Sequence, residues 1–229
     1  MIEDPLTIFE EGGSNGSSRN HAVSKEEQAY RRLKAHLDSG SMVAGHKIVY
    51  RELELLLGMS KTPILGALAR LAQEGIVKLE HNRGYYVRKL EVEEIRQLYD
   101  IRIRMEELAI EYAIANIARN GLAVLRSALD AYVTYDCPTY DARRLRLDLD
   151  FHLQIAHLGG NPFLVTLLKQ LYDQTRVGLP VVFMTPMIPK FKSDHLKIYE
   201  AIEARDLDKA KQLIRKHEWR TLSMLQGSK

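Results

Sequence analysis

The sequence predicts a mainly α-helical chain: an N-terminal winged helix-turn-helix of three helices and a two-stranded wing, then a C-terminal all-α six-helix bundle. Three observations carry this. Between residues 25 and 90, short amphipathic stretches are punctuated by glycine and end in two short β-type runs, 76–80 and 85–88. From residue 91 on, apolar residues recur at helical spacing and no dependable strand appears. The Gly/Ser/Asn-rich stretch 10–18 sets off a flexible leader, residues 1–24.

The elements follow in order. Ser24 and Glu27 form a capping box, and Ala29, Leu33 and Leu37 recur on one face of a first helix. A second short helix covers 50–57, with Gly58-Met59 as the turn behind it. Ser60 caps a third helix, Pro63 is tolerated in its first turn, and Ile64, Leu68 and Leu71 face inward until Gly75 ends it. Strand, basic tight turn (His81-Asn82-Arg83-Gly84) and second strand complete the unit. In residues 91–229, breaks at Asn120-Gly121, Cys137-Pro138, Gly159-Gly160-Asn161-Pro162, 178–180 and 186–189 divide the pattern. The six helices lie near 92–118, 122–135, 140–158, 162–177, 190–204 and 206–225.

Composition narrows the function classes. At 229 residues and 45% hydrophobic content, the chain can bury a real core. A single cysteine, Cys137, excludes a disulfide framework and any cysteine-based zinc module. No run approaches the eighteen or so apolar residues of a membrane span, and the start shows no signal peptide. A soluble, cytoplasmic protein without a membrane partner is expected. The net charge of +3 is unevenly placed: residues 25–90 carry twelve basic and seven acidic residues, residues 1–24 one and four. A basic surplus on one short segment suits a polyanion partner, although an ordinary solvated surface has the same composition.

Polar residues on apolar stripes are the other signal. Asp148 and His152 fall one turn apart inside the stripe of Leu145, Leu149, Ile155 and Ala156. His195 lies within Phe191, Ile198 and Ile202, and His217 among Ala210, Leu213, Ile214 and Thr221. Any one inward histidine can be a satisfied core residue. Four polar groups on three inner faces, one of them a carboxylate that needs a cation or several donors, also suit a divalent ion such as zinc, nickel or manganese. Spacing alone leaves the two readings open. His36, His46 and His81 lie in the basic segment, His157 closes a helix, and Asp150 points away from Asp148.

By residues, 25–90 resembles the DNA-binding domain of GntR-superfamily transcription regulators. The resemblance rests on Arg51-Glu52-Leu53, the run from Leu57 to Pro63, Ala67-Leu68-x-Arg70-Leu71, Glu74-Gly75-Ile76-Val77 and Asn82-Arg83-Gly84-Tyr85-Tyr86-Val87. The helical half resembles the FCD domain of the FadR subfamily, through Tyr99-Asp100-Ile101-Arg102, Glu106, Asp148-x3-His152, Gly160-Asn161-Pro162, His195 and His217. Six helices rather than seven resemble the shorter, VanR-like branch.

The resemblance implies a homodimeric regulator of a double-stranded DNA operator, usually a repressor and not an enzyme, controlled by a small carboxylate effector. It implies a divalent metal held by Asp148, His152, His195 and His217, and effector contacts from Arg102 and Asn161, with a salt bridge from Arg102 to Glu106 as the alternative. DNA contacts are expected from Arg51, Ser60, Lys61, Thr62 and Arg83. Lys61 and Leu65 stand where members commonly carry arginine, and Gly66 where an acid is usual, so the operator sequence does not carry over. Two other functions fit less: a metal sensor without organic effector, and a metal-dependent hydrolase, for which no further carboxylate or Ser/His pair was found on the same faces.

Overall fold

A computed structural model of the chain describes residues 23–117, 119–177 and 181–226. The expected leader lies outside the described residues except for its last two positions. Among the described residues the order is α1 (Lys25–Asp38), α2 (Tyr50–Leu57), α3 (Lys61–Gln73), β1 (Val77–Glu80), β2 (Gly84–Val87), then α4 (Val92–Ala115), α5 (Arg119–Thr134), α6 (Ala142–Leu158), α7 (Pro162–Arg176), a 3-10 helix (Val181–Met187), α8 (Ile188–Glu203) and α9 (Leu207–Gln226). No single helix among them is long and apolar enough to cross a membrane.

The first core forms where α1 and α3 pack together and the β1–β2 hairpin closes over them. Leu33, Ile64, Leu68, Leu71 and Ile76 are buried almost completely. Only half of the expected capping box exists. Ser24 Oγ accepts the Glu27 N–H at 3.1 Å, but the Glu27 carboxylate is drawn off by Arg31 and Arg70, each at 2.7 Å. A complete box stands instead at the start of α4, between Glu91 and Glu94. Ser60 occupies the N-cap position of α3, yet its hydroxyl caps no helix N–H. Gly58 ends α2 in the left-handed region, at φ 59°, where a side chain would be strained. The hairpin pairs Val77 with Val87 and Glu80 with Gly84. The segment between α1 and α2 joins it: the Ile48 N–H donates to the Tyr85 carbonyl at 2.8 Å, and Lys47 bridges to Tyr86.

The second core is helical. The 24-residue α4 packs against α6, α7 and α9, around Ile110, Leu125, Phe151, Ile155, Ile198, Ile202 and Ile214. All six expected helices are present. One break was misplaced: Asn120-Gly121 lies inside the first turn of α5, and α4 closes earlier, at Asn116. Asn and Gly read as breakers, but the first turn of a helix tolerates them because its N–H groups have no partner to lose. Pro189 likewise sits in the first turn of α8 instead of ending a helix before it.

The two cores touch through the end of α7. Val177 packs into the first core, and Gln174 Nε2 donates to the Glu74 carbonyl at 2.9 Å. Lys34 of α1 pairs with Asp173 at 2.6 Å, and Asp38 with Arg176 at 2.6 Å.

Candidate metal centre and nucleic-acid interface

Helical spacing aims Asp148 and His152 of α6, His195 of α8 and His217 of α9 at one point. One donor atom from each lies within 4.8 Å of all the others. His152 Nε2 is 3.2 Å from His195 Nε2, which is 3.4 Å from Asp148 Oδ1. Donors about 2.1 Å from a shared ion, at about 90–109° to each other, stand about 3.0–3.4 Å apart, so both spacings fit edges of a coordination polyhedron. The imidazoles are almost wholly buried and the Asp148 side chain is 13% exposed, which leaves one open side. Tyr132 and Phe151 wall in His195, with ring centroids 4.3 and 4.7 Å away.

A second layer orients the first. Glu106 of α4 takes the His152 Nδ1–H through Oε2 at 2.6 Å, which leaves Nε2 as the lone-pair donor toward the cluster. The other Glu106 oxygen accepts from Tyr172 Oη at 2.7 Å and from Arg102 Nε at 3.0 Å. Arg102 Nη2 donates to Glu218 at 2.7 Å. His195 Nδ1, His217 Nδ1 and Glu218 Oε2 are buried without a hydrogen-bond partner among the described residues. Such groups destabilise a fold unless something else satisfies the cluster. One carboxylate and three imidazoles converging within 4.8 Å are a donor set that fits a divalent ion. Glu106, His152 and Glu218 form a second, overlapping group of possible ligands.

The electrostatics follow from burial. Burial and the neighbouring His217 and His152 rings hold His195 well below the usual imidazole range, so it stays neutral, as a ligand must. Burial works against protonation of His152 too, but the Glu106 charge and hydrogen bond outweigh it and lift the ring to about 8, so an ion taken up at Nε2 would have to displace a proton. Burial pushes Glu218 up to about 6 despite Arg102.

Beside the cluster is a narrow cleft lined by Tyr99, Arg102, Tyr140, Asp148, Arg176 and His217. Asn161 is not among the residues lining this space, and its Oδ1 caps α7 by accepting the N–H groups of Phe163 and Leu164 at 3.1 and 3.2 Å. One expectation needs correction. Further carboxylates do stand beside the cluster, namely Glu106 and Glu218. The sequence carried a signal for Glu106, since Tyr99, Arg102, Ile103, Glu106 and Ile110 repeat at helical spacing and all are buried. Glu218 carried one too, since it follows Ala210 and Ile214 and precedes Leu222 at four-residue spacing, and all are buried. Arg102 borders the space as expected, but its guanidinium also makes the salt bridge to Glu106 that was weighed as the alternative.

On the other half, Arg51, Ser60, Lys61, Thr62 and Arg83 are all exposed. Lys61 Nζ sits 5.0 Å from the Tyr50 ring, and Arg83 at the wing tip reaches Glu80 only at 3.8 Å. Leu65 turns inward against the first core. At Gly66 the Glu26 side chain lies so close that a Cβ would come within 2.6 Å of it, so α1 brings a carboxylate over the position where the resemblance leads one to expect an acid.

Residues 25–87 match the model of the bacterial regulatory proteins of the gntR family, and residues 97–218 match the FCD domain. The chain belongs to the GntR family and carries an FCD domain. It is a DNA-binding transcription regulator of the FadR-like kind. It is 25% identical to the uncharacterized HTH-type transcriptional regulator YdhC of Bacillus subtilis, over 83% of this chain and 86% of that one. With the Nta operon transcriptional regulator of Aminobacter aminovorans it shares 26% identity, over 80% of this chain and 88% of the relative. The solved structure of Escherichia coli McbR/YncC has the same fold, with a TM-score of 0.73 at 20% identity, over 90% of this chain and all of that one.

Proposed function

We propose that this GntR-family regulator is a homodimeric, cytoplasmic repressor whose affinity for an operator is set by a small organic acid bound beside a divalent ion. Asp148, His152, His195 and His217 would hold the ion, with zinc, nickel and manganese as the candidates by donor type. The observation that carries this reading is the convergence of one carboxylate and three buried imidazoles from three helices within 4.8 Å. Such an ion supplies a positive centre that attracts a carboxylate oxygen. Among the four ligands only Asp148 is an anion, and the Arg102 cation offsets one of the two neighbouring carboxylates, Glu106 and Glu218. Glu106 fixes the His152 tautomer, and Arg102 holds Glu106 and Glu218 in place.

Arg51, Ser60, Lys61, Thr62 and Arg83 would contact DNA, the first turn of α3 reading base edges and the wing touching phosphate. A dimer calls for two half-sites related by two-fold symmetry. The test uses the full chain. Elemental analysis should find one divalent ion per chain, lost in a His152→Ala/His217→Ala variant, and sedimentation should give a dimer. Anisotropy of a labelled operator fragment should respond to organic acids only when the metal is present. Full metal content in the double variant would overturn the ligand assignment. An organic-acid response that survives metal removal would overturn the mechanism, and a response to metal alone would make the ion itself the signal.

A further inference from the structure

Arg176 is the last residue of α7, at the meeting point of the two cores, and its side chain is only 5% exposed. It lines the same space as Asp148 and His217. Its Nη2 faces Asp38 Oδ1 at 2.6 Å and Asp173 Oδ1 at 3.4 Å, while its Nε is buried with no hydrogen-bond partner among the described residues. An unsatisfied guanidinium N–H inside a cavity attracts an anion, because charge-assisted bonds of arginine to a carboxylate are strong and directional. Arg102, the arginine that the sequence singled out for this role, already has donors spent on Glu106 and Glu218.

Asp38 is equally telling. It closes α1, where the carbonyl end of the helix disfavours a negative charge, so it depends on a cation from outside. That cation is Arg176. α1 in turn packs on α3, the helix whose first turn carries Ser60, Lys61 and Thr62.

We propose that Arg176 reads the second acidic group of the effector, and that its ion pair with Asp38 passes the effector's arrival to the DNA-binding half. The inference rests on the metal-and-acid reading above and extends it in two ways. The ligand is a small dianion, one carboxylate toward the ion beside Asp148 and His217 and the other on Arg176, which lines the same cleft. Its second carboxylate competes with Asp38 for one guanidinium, so binding loosens α7 from α1.

The experiment takes metal-loaded full-length protein, linear dicarboxylates from malonate to adipate, and acetate as the single-carboxylate control. Thermal shift reports ligand binding, and operator anisotropy reports the response. In the native sequence at least one dicarboxylate should bind about tenfold or more tightly than acetate, as expected for one added charge-assisted contact. Arg176→Gln should reduce that dicarboxylate to the level of acetate, and Arg176→Lys should fall between them, because it keeps the charge and loses the fork. Asp38→Asn removes the competitor. It should tighten dicarboxylate binding while operator affinity no longer changes with ligand. Native-strength dicarboxylate binding in Arg176→Gln, or a native-size operator response in Asp38→Asn, overturns the proposal while leaving the metal-and-acid reading intact. If no acid shifts the native protein, both fall together. Should Arg176→Gln fail to fold, the Asp38→Asn operator response alone decides.

Discussion

The two cores differ in where they keep their charged groups. Around α1–α3 and the hairpin the interior is apolar, and Arg51, Lys61, Thr62 and Arg83 stand in solvent. In the helical half Arg102, Glu106, His152, His195, His217 and Glu218 are all buried. A surface that meets a polyanion can hold its cations in water at little cost. A site that holds a small ligand must enclose its polar groups, and each then needs a partner. The comparison says that substitutions in the first half should change binding and spare stability, and that in the second half they should change both.

Four experiments test that contrast. The largest effect is expected for Glu106→Ala, which removes the partner of His152, Tyr172 and Arg102 together. Breaking a buried ion pair by removing one partner costs about 3–5 kcal/mol. Urea unfolding should therefore show a marked fall in midpoint, with metal content falling alongside; an unchanged midpoint would mean the network is not structural. Next, Arg83→Ala and Arg51→Ala should each weaken operator binding by about 1–3 kcal/mol where a base contact is lost. Being exposed, they should leave stability within about 0.5 kcal/mol. Loss of stability without loss of DNA affinity would reverse the contrast.

Third, operator affinity should fall linearly with salt on logarithmic axes, because each neutralised phosphate releases counterions. Metal retention, measured on the same samples, should hardly change with salt, since buried groups are poorly screened. The smallest effect concerns Asp173, which faces Lys34 of α1 and Lys169 and Arg176 of its own helix, with Asp38 and Tyr30 nearby. Burial works to raise its pKa, but the Lys34 and Lys169 charges outweigh it and hold the carboxyl below its ordinary value. A depressed carboxylate stabilises the folded state above the unfolded value of about 3.9 and loses that contribution as pH falls through the folded value. Asp173→Asn should thus lower the melting temperature at neutral pH, and the gap to the native chain should close below about pH 4.

How far the sequence could be read follows the same contrast. The winged unit was legible from glycine punctuation and the placement of twelve basic residues within 25–90. The four-residue cluster was legible because a helix repeats every 3.6 residues, so a polar group on an apolar stripe stands out. Glu218 and Arg176 lie on buried four-residue stripes, with Ala210, Ile214 and Leu222 in one case and Leu164, Leu168 and Tyr172 in the other, but nothing local in the sequence names their partners, Arg102 of α4 and Asp38 of α1. Asn161 has a local role legible in the sequence as well: an Asn before Pro at a helix start is a cap by local chemistry. The Ser24–Glu27 box was half right because Arg31 and Arg70 offer Glu27 a charged partner in place of a backbone N–H.

The junction between the halves has a mechanical consequence. Arg88, just past the wing, grips the Glu94 carboxylate at 3.1 Å and the Gly75 carbonyl at 3.4 Å, and the Glu91–Glu94 box begins α4 three residues later. Wing and helix are thus clamped like a handle on a shaft. With 24 residues, α4 is about 36 Å long, so tipping it by about 5° swings its far end by about 3 Å. Half-sites on B-DNA repeat about every 34 Å, and a reading head displaced by about a base-pair rise no longer meets the same edges in both. In the proposed dimer, a tilt of this size between α4 and its neighbours would be enough to carry the clamped wing from one register on the operator toward the next.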